Sequence, residues 1–259
     1  MKKNLPTLII ENIKTVLYAL FIAVVIRSLF FQPFYIPSSS MEPTLLIGDR
    51  IFVSKYTYGY SKHSFPFSPP MFKKRLFDKP ASYGDLVVFK TPADNRTDYI
   101  KRLIGMPGDT IQFLDGNLLL NNRSIPRTKV NSKFKIRCGP YSLDVDAFKE
   151  TLPNGKEYIA VYKKEGTMLN TDIYNVPLNH YFFLGDNRDC SKDSRYLSSV
   201  GYVSSDNLVG NAKMIFFSND TKISSILKFW NWKKSVRIER FFNLLKWQNN
   251  LINSSKKLI

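Results

Sequence analysis

The chain has 259 residues, 44% of them apolar and 14% aromatic, and a formal charge of +17 from 38 Lys and Arg against 21 Asp and Glu. So much apolar surface excludes a disordered chain, and the length suffices for one large or two modest domains. The charge predicts either attraction to a polyanion (nucleic acid or an anionic membrane face) or simply a Lys-rich surface in water. Cys138 and Cys190, with His63 and His180, fit no metal-ligand spacing, so neither a metal nor a cofactor is expected.

The first element is "TVLYALFIAVVIRSLFF", Thr15 to Phe31, with a single charge at Arg27. A helix of this length reaches about 26 Å, slightly less than a hydrocarbon core. It lengthens if it continues back toward Leu8 or forward to Gln32, where Arg27 snorkels to the interface and Pro33 ends it. A cleavable signal, a buried core helix and an uncleaved anchor all fit such a run. The following "FFQPFYIP" offers no small residues for cleavage, and apolarity all round the helix suits lipid, so residues 15–32 read as a transmembrane anchor. Lys2, Lys3 and Lys14 lie on its amino side. By the positive-inside rule, residues 1–14 are then cytoplasmic and everything beyond Gln32 is outside.

From Asp49 the pattern is strand-like. "RIFVSKY", "YGDLVVFK", "YIKRLIG", "DTIQFLDGNLLLNN", "HYFFLGD" and "AKMIFFS" are short β-branched and aromatic runs bounded by turn residues, and Asp115-Gly116 supplies a hairpin turn. With no long 3.6-residue period between Asp49 and Ser218, the body reads as all-β. Residues 33–120 and 177–218 form its core, and the less apolar 121–176 an inserted smaller β lobe. The tail, 219–259, is basic and holds all three tryptophans. Helical spacing of Ile238, Phe241, Phe242 and Leu245 predicts an amphipathic helix, either lying in the headgroup region or packed on the sheet.

Three stretches carry candidate chemistry. "IPSSSMEPTL", Ile36 to Leu45, sets three serines between large apolar residues. A triad of Ser40, His180 and Asp186 can be drawn, but a lone histidine at a strand start is usually structural, and His63 sits in a Pro-rich loop. A lysine replaces histidine as a base only when uncharged, which requires burial among apolar groups. Lys101, in "DYIKRLIGMPGD", meets that condition, since strand alternation puts it on one face with Tyr99 and Leu103, opposite Ile100 and Arg102. The third stretch is "GDNRDCSKDSR", Gly185 to Arg195, where Asp186, Asp189 and Asp193 can pair with Arg188 and Arg195 to fix a rigid loop.

Together with the "YGDLVVF" run, these stretches resemble, in order, the boxes of the bacterial type I signal peptidase (leader peptidase) family, from Pro33 to about Val203 with a divergent insertion between. The resemblance implies an acyl-transfer peptidase with Ser40 as nucleophile and Lys101 as general base. It implies an oxyanion hole from the Ser38 hydroxyl and the Ser40 backbone N–H, with Ser191 orienting the lysine and Asp193 and Arg195 bracing the loop. Phe34, Ile36, Met41, Leu45, Tyr99 and Ile100 match the shallow pockets that take small, Ala-x-Ala-like residues. The implied substrates are preproteins carrying signal peptides, and the implied place is the outer face of the cytoplasmic membrane, with anionic lipid as a partner and nucleic acid not.

Two positions depart from the family pattern. Ser39 stands where glycine is common, and Cys190 where asparagine is usual, which leaves open whether Cys190 pairs with Cys138. Penicillin-recognising enzymes need lysine three residues after the serine, where this chain has Pro43. A self-cleaving repressor needs a DNA-binding domain in place of the anchor. The remaining non-enzymatic reading is a membrane-tethered basic β-domain that binds a polyanion.

Overall fold

The structure, a computed structural model, describes residues 5–65, 68–69, 74–131, 134–163, 166, 168–220, 223 and 229–245. Helix α1 runs Leu5–Leu29. Its apolar part, Ile9–Leu29, has 21 residues and mean hydropathy 2.0, with none of its most apolar window buried in protein. At 1.5 Å per residue that is about 32 Å, long enough to cross a bilayer. The helix begins and ends earlier than the run Thr15–Gln32 suggests. Pro33 does not terminate it but lies inside strand β1, Phe31–Tyr35, at the sheet edge, where a missing N–H costs no ladder bond.

The chain continues through β2 (Asp49–Ser54), β3 (Leu86–Lys90) and β4 (Asp98–Gly105). Next come β5 (Thr110–Leu114), β6 (Asn117–Leu120), β7 (Arg123–Ser124), β8 (Arg127–Lys129) and β9 (Phe134–Cys138). After these run β10 (Tyr141–Thr151), β11 (Glu157–Tyr162), β12 (Tyr174–Asn175), β13 (His180–Leu184), β14 (Val203–Ser204) and β15 (Leu208–Ser218). The main sheet has the order β1-β2-β15-β3-β4-β13-β14, and its pairs are antiparallel. A second sheet joins β11, β10 and β8, with β9 also on β10, and a third joins β12, β5, β6 and β7. Each apolar run read from the sequence is a strand. Asp115 and Gly116 have φ of 48° and 71°, so the β5–β6 turn needs the left-handed backbone that Asp-Gly supplies.

The sheet forms because most of its strands are covered on both faces. Ile36, Met41, Leu45, Ile51 and Val53 pack with Leu86, Val88 and Val209 on one side. Phe89, Leu103 and Phe183 form a separate cluster, and Ile104, Phe182 and Leu184 join Phe113, Leu118 and Tyr158 in a third. The anchor is fastened at its foot: Lys55 N–H donates to Phe30 O (3.0 Å), Tyr60 hydroxyl to Leu29 O (2.9 Å), and Phe31 meets Tyr56 edge-on.

The tail departs from expectation. Over residues 229–245 there is no long amphipathic helix, only the short α2, Trp232–Ser235, two 3₁₀ turns and the strand β16, Asn243–Leu244, which pairs with β15. The physical reason is that the tail's arginines have better partners than water. Arg237 and Arg240 are buried against backbone carbonyls and Asp49, while Leu245 packs on the Ile36 cluster. Residues 221–222, 224–228 and 246–259 of the predicted tail lie outside the described residues.

Candidate active site

The serine loop leaves β1 and returns in β2, tied at its neck by Ile36 N–H to Asp49 O and Gly48 N–H to Ile36 O, both 2.9 Å. Met41 and Leu45, fully buried, are the apolar pins that press it onto the sheet. From the other side, Arg240 donates to both Asp49 carboxylate oxygens (3.1 and 2.6 Å) and to Thr44 O (3.0 Å). Arg237 donates to Ile47 O at 2.7 Å. Charge-assisted bonds to carbonyls on one short loop hold its backbone more firmly than packing alone. Ser39 is not among the residues with positive φ, so its backbone does not call for the glycine that is common there.

Strand β4 brings Lys101 to this loop. Its Nζ lies 2.6 Å from Ser40 Oγ and donates to Ile100 O at 3.0 Å, and the Ser38 hydroxyl is 3.4 Å from that of Ser40. Lys101 is only 4% exposed, and its amine sits 5.2 Å from the Tyr99 ring centre. Burial pushes its pKa down to about 8, against a smaller opposing pull from Asp193 and Asp186, neither of which pairs with it. At a pH near 8 about half the molecules therefore carry an uncharged amine next to a hydroxyl. That is what a general base needs.

The Gly185–Arg195 loop closes the site from behind. Asn187 N–H donates to Ser40 O (3.2 Å) and its side-chain amide to Ser39 O (3.1 Å). Gly185 is required by close approach: a Cβ there would sit 2.2 Å from Ser191 Oγ and 2.5 Å from Ser40 O. Asp193 receives Gly185 N–H (3.0 Å) and both Nε and Nη2 of Arg195 (2.8 and 2.9 Å). Burial alone would raise its carboxyl, but Arg195 and the Gly185 N–H outweigh it and hold the group below the usual range. Ser191 Oγ is buried near that carboxylate and makes no hydrogen bond to the Lys101 amine.

Two pairings depart from the sequence reading. Asp186 is matched not by an arginine of its own loop but by Arg102 of β4, through Nε and Nη2 at 2.7 and 2.6 Å, and by the Thr44 hydroxyl. Arg188 reaches across to the second sheet, where it meets Glu150 (2.7 and 3.2 Å) and the Tyr158 and Tyr162 hydroxyls. The same sheet holds the serine loop directly: Arg137 N–H donates to Glu42 Oε2 at 2.7 Å, and Asn187 donates to Arg137 O at 3.2 Å. Cys138 and Cys190 form a disulfide, so β9 is covalently joined to the residue before Ser191.

Of the pocket candidates, Ile36, Met41 and Leu45, with the partly buried Phe34 and Ile100, form one apolar cluster. Tyr99 packs with Phe89 in another. His180 bonds to Leu178 O, and His63 to Ser68, so neither histidine serves Ser40. Sequence reasoning missed Arg102, Asn187, Glu42, Glu150, Arg237 and Arg240. Asn187 alone had a signal, standing within the "GDN" turn.

The signal peptidase, peptidase S26, family model matches residues 9–217. Signal peptidase I of Rickettsia typhi is 42% identical over 246 residues, covering 88% of this chain and 90% of its own. That of Rickettsia canadensis is 40% identical over 262 residues, covering 94% and 96%. A solved signal peptidase I from Enterococcus faecalis, 25% identical, covers 51% of this chain and 97% of its own with a TM-score of 0.31. The family match and the two curated relatives span nearly the whole fold described above, anchor included, and on that ground the chain belongs to the signal peptidase I family, membrane-anchored endopeptidases that remove signal peptides from preproteins.

Proposed function

We propose that this chain cleaves preproteins through a Ser40–Lys101 dyad. The observation that carries the reading is a buried amine 2.6 Å from the Ser40 hydroxyl, with a pKa lowered to about 8. Neutral Lys101 takes the Ser40 proton as the oxygen attacks the scissile carbonyl. The developing oxyanion is met by the Ser40 N–H and the Ser38 hydroxyl, and the protonated lysine returns its proton to the leaving amine. Water, activated by the same lysine, then releases the acyl-enzyme. The amine is oriented by the Ile100 carbonyl, and Asp193 with Arg195 keeps the loop behind it rigid.

Selection for small residues before the scissile bond follows from bulk. Phe34, Ile36, Met41, Leu45 and Ile100 form one apolar cluster beside Ser40, and on this reading their bulk admits only small side chains. Tyr99 contributes on this reading by shielding the amine from water.

The amino terminus is cytoplasmic and the β body lies on the outer side of the cytoplasmic membrane, a topology supported by Lys2, Lys3 and Lys14. Residues 121–176 act as an inserted lobe, a division supported by β8–β11 forming a sheet of their own. The tail meets anionic lipid through exposed Trp230, Trp232, Ile238 and Phe242 beside Lys233 and Lys234. No nucleic-acid partner is proposed.

The test is cleavage of a preprotein in detergent by wild type, Ser40→Ala and Lys101→Met. Loss of turnover in both variants is expected. Normal turnover by Lys101→Met would remove lysine from the base role.

A further inference from the structure

A cavity of about 480 Å³ opens at the foot of the anchor helix, apart from Ser40 and Lys101. Its wall carries five cations from four parts of the chain: Arg27 in the last turn of α1, Lys55 after β2, Lys62, Lys90 at the end of β3, and Arg96. The two carboxylates there are already engaged. Asp98 pairs with Lys90 at 2.9 Å, and Asp94 is capped by the Thr91 and Thr97 hydroxyls and two backbone N–H groups. Among the described residues no carboxylate pairs with Arg27, Lys55, Lys62 or Arg96.

Lys55 is the most informative of these. It is only 2% exposed, its single hydrogen-bond acceptor is the Ser64 carbonyl, and burial followed by the nearby Arg27 pushes its pKa down to about 8. His63 also lines the cavity, buried, with Nε2 lacking a hydrogen-bond partner. Converging cations and an unpaired buried donor or acceptor cost stability unless an anion joins them.

The position identifies the anion. Arg27 closes the apolar span Ile9–Leu29, and exposed Phe30, Phe31 and Tyr56 ring the same level, as aromatic residues do at a membrane–water interface. We propose that this cavity is a binding site for the phosphodiester headgroup of an anionic phospholipid, with Arg27, Lys62 and Arg96 gripping the phosphate and Lys55 beneath it. The inference uses the membrane anchor but not the Ser-Lys chemistry. Headgroup binding fixes the height of the domain above the bilayer, and with it the distance at which a substrate emerging from the membrane meets Ser40.

The test compares the full chain with K62Q/R96Q, two partly or fully exposed positions whose change leaves the core intact. Both proteins are equilibrated in phosphatidylcholine vesicles with and without phosphatidylglycerol, extracted in mild detergent, and the phosphatidylglycerol retained per protein is counted by mass spectrometry of the intact particle. Wild type is expected to keep a phosphatidylglycerol that the variant loses, while turnover of a short soluble peptide stays the same in both. Equal retention by the two proteins would overturn the proposal. Displacement of the lipid by millimolar inorganic phosphate would overturn the lipid as the occupant. A variant that keeps the lipid but shows a raised KM for peptides with acidic residues ahead of the scissile bond would assign the cavity to substrate instead. Loss of peptide turnover in Ser40→Ala, measured alongside, bears on the dyad alone and leaves the lipid count unaffected.

Discussion

Lys101 and Arg102 are neighbours on one strand, point to opposite faces, and are both nearly dry at 4% and 6% exposure, yet they live under opposite electrostatics. Arg102 is firmly partnered, with two bonds to Asp186, one to Gly84 O and the Tyr158 ring 4.3 Å from its guanidinium carbon. Lys101 has a hydroxyl and one carbonyl. Their chemistry and partners differ: the Arg102 guanidinium is in contact with the Asp186 carboxylate, whereas Lys101 is buried with no carboxylate in contact and its pKa is pushed down to about 8. On the proposed chemistry, one face of β4 serves as a rigid brace and the other as a base.

The hardest way to break the contrast is to remove the base. On the proposed chemistry Lys101→Met or Ser40→Ala lowers kcat by about 10⁴-fold or more with thermal stability retained, read from preprotein cleavage beside a melting curve. Next, Arg102→Met strands the Asp186 carboxylate in the interior and costs about 3 kcal/mol or more, seen as a lowered denaturation midpoint. Unchanged stability would mean that the brace is dispensable.

Gly185→Ala drives a methyl group into Ser191 and the Ser40 carbonyl, and a displacement near 1 Å lowers kcat by about a hundredfold with KM little altered. On the same proposed chemistry, kcat/KM of the wild type is expected to rise about tenfold per pH unit below the Lys101 pKa of about 8 and to level off above it, because only the uncharged amine accepts the serine proton. A profile flat from pH 6 to 9, checked as a range of roughly three units, would break the comparison at its centre. The smallest change is expected of Arg240→Gln, which loses the grip on Asp49 and slackens the serine loop by about 1–2 kcal/mol in stability, with a modest drop in rate.

What was legible in the sequence was local. Alternating apolar runs gave the strands, Asp115-Gly116 the hairpin, and a lysine between Tyr99 and Leu103 the buried amine. The partners of buried charges were not legible, because nothing near Asp186 in sequence points to Arg102, 84 positions away, or near Arg188 to Glu150. The tail misled for the same reason. Ile238, Phe241, Phe242 and Leu245 keep helical spacing, but Arg237 just before them and Arg240 among them are drawn onto the serine loop, and that contact outweighs local periodicity. The Cys138–Cys190 bond depends on the fold setting β9 beside the Gly185–Arg195 loop, a proximity that residues 52 positions apart do not encode locally.

The Arg240 clamp also bears on timing. Asp49 and Arg240 are 191 positions apart, so on the ribosome the carboxylate emerges long before the guanidinium that locks it. Translation proceeds from the amino end, and the nascent chain must be extended through Arg240 before its serine loop is fully held. The hydrolase is thus finished late in its own synthesis, after the anchor has already been made.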